Sequence, residues 1–162
     1  MKSIWLVLAG LIIVLTTHRG HAEGLDTISR YQSGFARVID GDTIVIHGIH
    51  IRIWGIDTPP AFASDREHGP ATIMLERKGL DRSSIIAAGI RSKDALERLT
   101  AGRQLICITV GTSYNRMVSK CSLDGDSSLD LSCEMLKTGW AVEWKEYSRG
   151  ELTKCLPKGF LD

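Results

Sequence analysis

The stretch Val38-Ile39-Asp40-Gly41-Asp42-Thr43-Ile44-Val45-Ile46-His47-Gly48-Ile49-His50-Ile51-Arg52-Ile53-Trp54-Gly55-Ile56-Asp57-Thr58-Pro59 decides how the rest of the chain is read. It holds two β-branched apolar runs, Ile44–Ile46 and Ile49–Ile53, joined around Gly48, which is the pattern of a β-hairpin. Asp40, Asp42 and Asp57 fall at strand ends rather than in the core, and Arg52 lies within a strand. Three acids and an arginine at the rim of an apolar sheet mark a site. Arg52 and Asp57 are five residues apart and would face opposite sides of a regular strand. Gly55 between them predicts a bulge or bend that brings both to one side.

Outward from this hairpin, Phe35–Ile39 reads as a preceding strand that ends in the tight turn Asp40-Gly41-Asp42, and Pro59-Pro60 stops the sheet. Residues 61–84 are the least legible part, with a short helix over Ala71–Lys78 opened by Pro70 and closed by Gly79. A longer helix is read from Ala88, Ser92, Ala95, Leu96 and Leu99 on one face, with Gly102 beyond its end. Gln104–Val110 and Met117–Leu123 form a second antiparallel pair around a turn at 111–115. Leu131–Thr138 is a short helix with Asp130 as its N-cap and Gly139 as its stop. Five strands and two or three helices, strands first, predict a small α+β domain around a barrel.

Residues 1–22 stand apart. Lys2, the apolar run Ile4–Leu15 and the small-residue ending Gly20-His21-Ala22 have the form of a secretory signal peptide cleaved near Ala22. The run falls short of the roughly 20 apolar residues of a membrane span, and no second one follows, so no membrane span is expected in an exported (periplasmic or secreted) mature protein. Residues 23–34 read as a loose polar lead-in, 35–147 as one domain and 148–162 as a polar tail. Removing Lys2 and Arg19 takes the formal charge from +1 to −1, which excludes bulk positive charge as a basis for nucleic-acid binding. Any phosphate site must be local.

Cys107, Cys121, Cys133 and Cys155 are even in number and lack a C-x-x-C spacing, which in an exported chain favours disulfides over metal and permits three pairings. A symmetric hairpin centred on Tyr114 places Cys107 opposite Cys121 and leaves Cys133 for Cys155, whereas a one-residue slip would separate the first two.

Asp42 and Asp57 could converge on a hard divalent cation, for which carboxylate and carbonyl oxygens suit Ca²⁺. Arg52 and Arg116 could hold a phosphodiester bidentately and stabilise charge developing on it. Taken singly each residue has an ordinary reading: Asp-Gly-Asp-Thr is a common turn, Arg52 and Arg116 are surface cations, and Asp40 bonds turn amides. The combination is the informative signal.

In order, D-G-D-T-I, R-I-W-G-I-D-T-P, Y-N-R and L-K-T-G-W-A resemble the staphylococcal-nuclease-like (thermonuclease) family over about residues 36–147. The resemblance implies a five-stranded OB-type barrel with helices, and Ca²⁺-dependent hydrolysis of single-stranded DNA or RNA by a monomer. It assigns Asp42, Asp57 and the Thr58 carbonyl to Ca²⁺, Arg52 and Arg116 to catalysis at the phosphate, and Tyr114 to the terminal phosphate of the nucleotide.

The chain departs from the family pattern where a general-base Glu normally follows D-T-P, because Pro60 stands there. Asn115 replaces a glycine between Tyr and Arg, and the segment between Pro60 and the long helix is extended. Asp65 or Glu67 on that segment could supply a substitute carboxylate, or be solvated loop charges. The expected function is a Ca²⁺-dependent nuclease, weakened at Pro60. The alternatives are a non-catalytic module that binds nucleic acid or protein, and a Ca²⁺-stabilised structural domain.

Overall fold

The computed structural model describes residues 30–64, 68–114 and 116–156. The leader, Asp65, Glu67, Asn115 and residues 157–162 lie outside them. The central hairpin forms as β3 (Thr43–Ile46) and β4 (Ile49–Ile53), with Thr43 opposite Arg52 and Ile46 opposite Ile49. Its two-residue turn has positive φ at both His47 (50°) and Gly48 (81°), the twist that suits a right-handed hairpin.

Ahead of it lie β1 (Tyr31–Phe35) and β2 (Arg37–Val38), and after it β5 (Ile56–Asp57). Two helices follow, α1 (Pro70–Arg77) and α2 (Arg82–Thr100), then β6 (Gln104–Ser113), β7 (Arg116–Leu123) and β8 (Asp126–Asp130). The chain continues through α3 (Leu131–Lys137), β9 (Val142–Glu143), α4 (Lys145–Ser148) and a 3₁₀ turn at Thr153–Cys155.

Among the described residues the fold is α+β, with four helices and a mixed seven-stranded sheet ordered β1-β6-β7-β4-β3-β2, β8 pairing with β7. Strands β4 and β7 are parallel and the other pairs antiparallel. Hydrogen bonding leaves β1 and β2 as the two edges of this path, and no closed barrel is detected among the described residues. Those two edges are nevertheless consecutive in the chain, separated by Ala36 alone. The isoleucines at 44, 46, 51, 53 and 56 pack with Leu96, Leu105, Leu123, Leu131, Met135 and Leu136 in one core. Burying each such side chain contributes roughly 1.5–3 kcal/mol.

The strand and helix counts exceed the sequence expectation for local reasons. The expected first strand begins earlier, at Tyr31 inside the presumed lead-in, and breaks at Ala36. Strand β8 is rich in Asp and Ser, so no apolar alternation announces it. Helix α4 is a single turn in a polar segment. Beyond it, Ser148, Leu152 and Cys155 are buried, so the start of the polar tail packs into the body.

Helix α2 begins at Asp81, whose side chain accepts from the Ser84 amide, and buries Ile85, Gly89, Ser92, Ala95, Leu96 and Thr100. A Cβ at Gly89 would overlap the Pro60 carbonyl, and one at Gly41 would overlap the Ser92 side chain. The helix therefore backs both the Asp-Gly-Asp turn and the Pro59-Pro60 segment.

Two disulfides are present, Cys107–Cys121 and Cys133–Cys155, with Cα atoms 4.0 and 5.1 Å apart. The first pairing is as expected, but its geometric basis differs. The β6–β7 hairpin closes with Ser113 opposite Arg116, so it is not centred on Tyr114. That register, continued, would set Cys107 against Ser122. A bulge at Val110 shifts it by one residue, so that Thr109 faces Ser119 and Cys107 faces Cys121. Among the described residues no helix is long and apolar enough to cross a membrane.

Candidate active site

Gly55, at φ +76°, turns the chain between β4 and β5. The bend carries Asp57 to the same side as Arg52, and β5 is held there by pairing with β9 (Asp57 opposite Val142). Arg52 then lies between two carboxylates: its Nη1 donates to Asp42 Oδ1 at 3.0 Å and its Nη2 to Asp57 Oδ1 at 2.9 Å. The remaining oxygens are also engaged. Asp42 Oδ2 accepts from the Thr58 amide at 3.1 Å and the Thr58 hydroxyl at 3.2 Å, and Asp57 Oδ2 accepts from the Ala71 amide at 2.9 Å.

Arg52, Asp42 and Asp57 are 7%, 3% and 3% exposed. Placing these acids only at exposed strand ends is therefore corrected: the bend folds them under Thr58 and the first turn of α1. Asp40 accepts from the Asp42 amide at 3.1 Å, as a turn-closing acid does.

Asp40, Asp42, Asp57, Thr58 and Pro60 line a cavity of about 10 Å³, the space of a single water or ion. Burial pushes the Asp57 carboxyl up to about 6, and the charge of Asp42 adds to the effect. Arg52 opposes the rise without cancelling it, because its one positive charge is shared between two acids. Burial, then the Asp42 charge, also raises Asp40. The excess negative charge fits a hard divalent cation. Among the described residues no three His, Cys, Asp or Glu side chains are disposed to hold an ion by themselves. A cation here would draw on Asp42, Asp57 and backbone or solvent oxygen.

Above this cavity opens a cleft of about 740 Å³, lined by Arg52, Gly69, Tyr114, Arg116, Trp144 and Tyr147 among others. Gly69 lines both spaces. Arg52 and Arg116 thus reach one cleft from adjacent strands, β4 and β7. Tyr114 stands at the rim, 91% exposed with φ 52°. Thr58 and Pro60 belong to the acid cavity.

Three contributors were not read from the sequence. Trp144 stacks under the Arg52 guanidinium at 5.5 Å and meets Tyr147 edge-on at 4.9 Å. A Cβ at Gly69 would overlap the Asp57 carboxylate, so only glycine fits there. The Ala71 amide caps Asp57 from α1. A tryptophan stranded in a polar run and a glycine just before Pro70 were the available signals.

Comparison with protein-family models and with curated proteins returned no match.

Proposed function

We propose that the protein is a Ca²⁺-dependent phosphodiesterase acting on single-stranded DNA or RNA, an exported monomer of the staphylococcal-nuclease-like kind working at a reduced rate. The observation that carries this reading is Arg52, held between Asp42 and Asp57, reaching a cleft that Arg116 and Tyr114 also line. The strand order supports an OB-type barrel, since both edges of the path belong to one run of chain, 31–38. Export is supported by the two disulfides and the leader-like residues 1–22.

Asp42, Asp57 and the Thr58 carbonyl would hold Ca²⁺, which when bound supplies charge neutralisation at a phosphate oxygen and a positioned water. Arg52 and Arg116 bind the phosphodiester and stabilise the charge that grows on it. Tyr114 offers a hydroxyl to the terminal phosphate at the rim. Trp144 orients Arg52 and offers its ring to a base. Pro60 lines the acid cavity with no group able to take a proton from water. A positioned base contributes about 10²–10⁴ in rate, so turnover falls by that order.

Pro60 also favours a second reading, a module that binds nucleic acid or protein without cleaving it. Incubating the mature protein with single-stranded DNA in Ca²⁺ or EGTA separates the readings. Slow Ca²⁺-dependent cleavage is expected. Binding without cleavage would establish the non-catalytic module, and Ca²⁺-dependent stability with neither would leave a structural domain.

A further inference from the structure

The segment between Pro60 and α2, which is extended relative to the family pattern, builds a wall of its own. Helix α1 starts at the acid cluster, where its Ala71 amide caps Asp57, and runs outward for eight residues. Its outer face is apolar and open, with Ile73 39% and Met74 37% exposed. Its far end is basic, with Arg77 in the last turn and Lys78 at the C-cap.

These side chains line a second groove of about 580 Å³, together with His68 and Trp144. His68 and Trp144 also line the main cleft, so the two spaces are continuous. At about 1.5 Å per residue, the helix carries the wall about 10 Å from the Ala71 amide to Lys78. That is roughly three stacked nucleotides at about 3.4 Å each.

We propose that this groove is a second subsite, taking the stretch of a single-stranded polynucleotide that flanks the phosphodiester held in the main cleft. The inference rests on the nuclease reading and extends it to a length preference. Single strands are held by basic groups that follow the backbone and by flat or apolar side chains against the bases. Here Trp144, Ile73 and Met74 offer the base contacts, and Arg77 and Lys78 the phosphate contacts. The acids facing this wall are Glu146, which lines it, and Glu76, which lies 3.8 Å from the His68 ring. At the far end Arg77 and Lys78 outnumber Glu76, and that net positive charge favours a strand leaving toward them. The polarity of its charge therefore points away from the acid cavity.

Fluorescence anisotropy with labelled oligothymidylates and oligouridylates of two to eight nucleotides, in Ca²⁺, tests the subsite. Wild-type protein should bind the eight-mer at least about tenfold more tightly than the dimer, in keeping with an added stacking contact. R77A/K78A should bind the dimer as wild type does and lose most of the gain with length. Its salt dependence on the eight-mer should be shallower by about 1.4, for about 0.7 per phosphate contact. Both residues are exposed, and an unchanged melting curve verifies folding. If wild type favours long strands and R77A/K78A does so equally, the subsite is wrong and the nuclease reading stands. If wild type binds no oligonucleotide, both fall together. An oligoglutamate that displaces the eight-mer at equal concentration would also overturn the proposal, since the groove would then read charge alone.

Discussion

Two regions meet where the Ala71 amide caps Asp57, and they are built by opposite means. The acid rim from Asp40 to Thr58 is buried and nearly every carboxylate oxygen described there has a partner. The α1 wall from Gly69 to Lys78 is open, apolar and basic, and touches the rim chiefly at its first turn. Charge held out of water is costly unless it is paired, so the rim couples any change at the site to stability. The wall can be changed with little consequence for the fold. The first region fixes geometry, and the second offers surface.

The largest contrast should come from R52A and R77A. Removing Arg52 leaves Asp42 and Asp57 buried without their shared counterion, which typically costs about 3–5 kcal/mol. Ca²⁺ should restore part of that by binding the folded state alone. R77A, at an exposed site, should stay within about 0.5 kcal/mol of wild type. Urea denaturation in EGTA and in Ca²⁺ measures both, and an R52A protein as stable as wild type in EGTA would remove the contrast.

The β6–β7 hairpin, whose tip lines the cleft, offers a test of strand register. Deleting Val110 takes out the bulge residue and joins Thr109 to Gly111, so an unbroken ladder still sets Thr109 against Ser119 and Cys107 against Cys121. The Cys107–Cys121 bridge should therefore still form, with no reactive thiol released under denaturing conditions. Closing a loop of this length contributes about 3 kcal/mol. Non-reducing peptide mapping that no longer recovers the Cys107–Cys121 peptide would show that strand register does not set the pairing.

What the sequence made legible follows the same division as the two regions. The hairpin, the bend at Gly55 and the helices at Arg82–Thr100 and Leu131–Lys137 are written in local patterns: β-branched runs, a glycine between charges, an apolar helix face ending before Gly102, a cap at Asp130. Arg52 and Asp57 meeting on one side follows from that glycine. Trp144 and Gly69 were not legible, because their importance lies in packing across long separations in the chain. Strand β8 has no periodic signal at all, and the early start of β1 was hidden by polar neighbours. The Val110 bulge illustrates the limit, since the disulfide pairing was anticipated from a symmetry that the hairpin lacks.

The charge of the rim predicts a pH dependence that the wall does not share. Asp57 ordinarily titrates near 3.8 and is raised to about 6 in the fold, chiefly by burial. A carboxyl raised on folding adds stability below its unfolded value and loses it as pH rises through the folded one. In EGTA, stability should therefore fall between about pH 4 and 7, by roughly 2–3 kcal/mol at 1.36 kcal/mol per unit. Asp40, raised in the same direction, adds to the fall. Glu143, lowered where Ser148, Thr153 and the Leu152 amide bond its carboxylate, acts oppositely but below its ordinary 4.5. Saturating Ca²⁺ should flatten the curve at the upper end. Equal melting temperatures at pH 5 and 7 in EGTA would mean that the cluster is already neutralised.

The smallest expected effect concerns Pro60, where the family pattern has a glutamate. Pro60 is buried, lines the acid cavity, and has its carbonyl against Gly89 of α2. Glutamate there would direct an acid into the same space as Asp42 and Asp57. In the absence of Ca²⁺ that adds a further negative charge and should lower stability. In its presence the carboxylate can accept a proton from water near the phosphate, so P60E should cleave single-stranded DNA at least about tenfold faster, the low end for a positioned base. The gain should appear in kcat with little change in KM, because the base does not bind the ground-state phosphate. P60Q, similar in shape but unable to take the proton, should show none of the gain. Equal rates for P60E and P60Q would mean that the rim lacks the geometry for a base here. A loss of activity in D65N or E67Q would then place the base on the segment before α1, and the two regions would share the chemistry as well as the substrate.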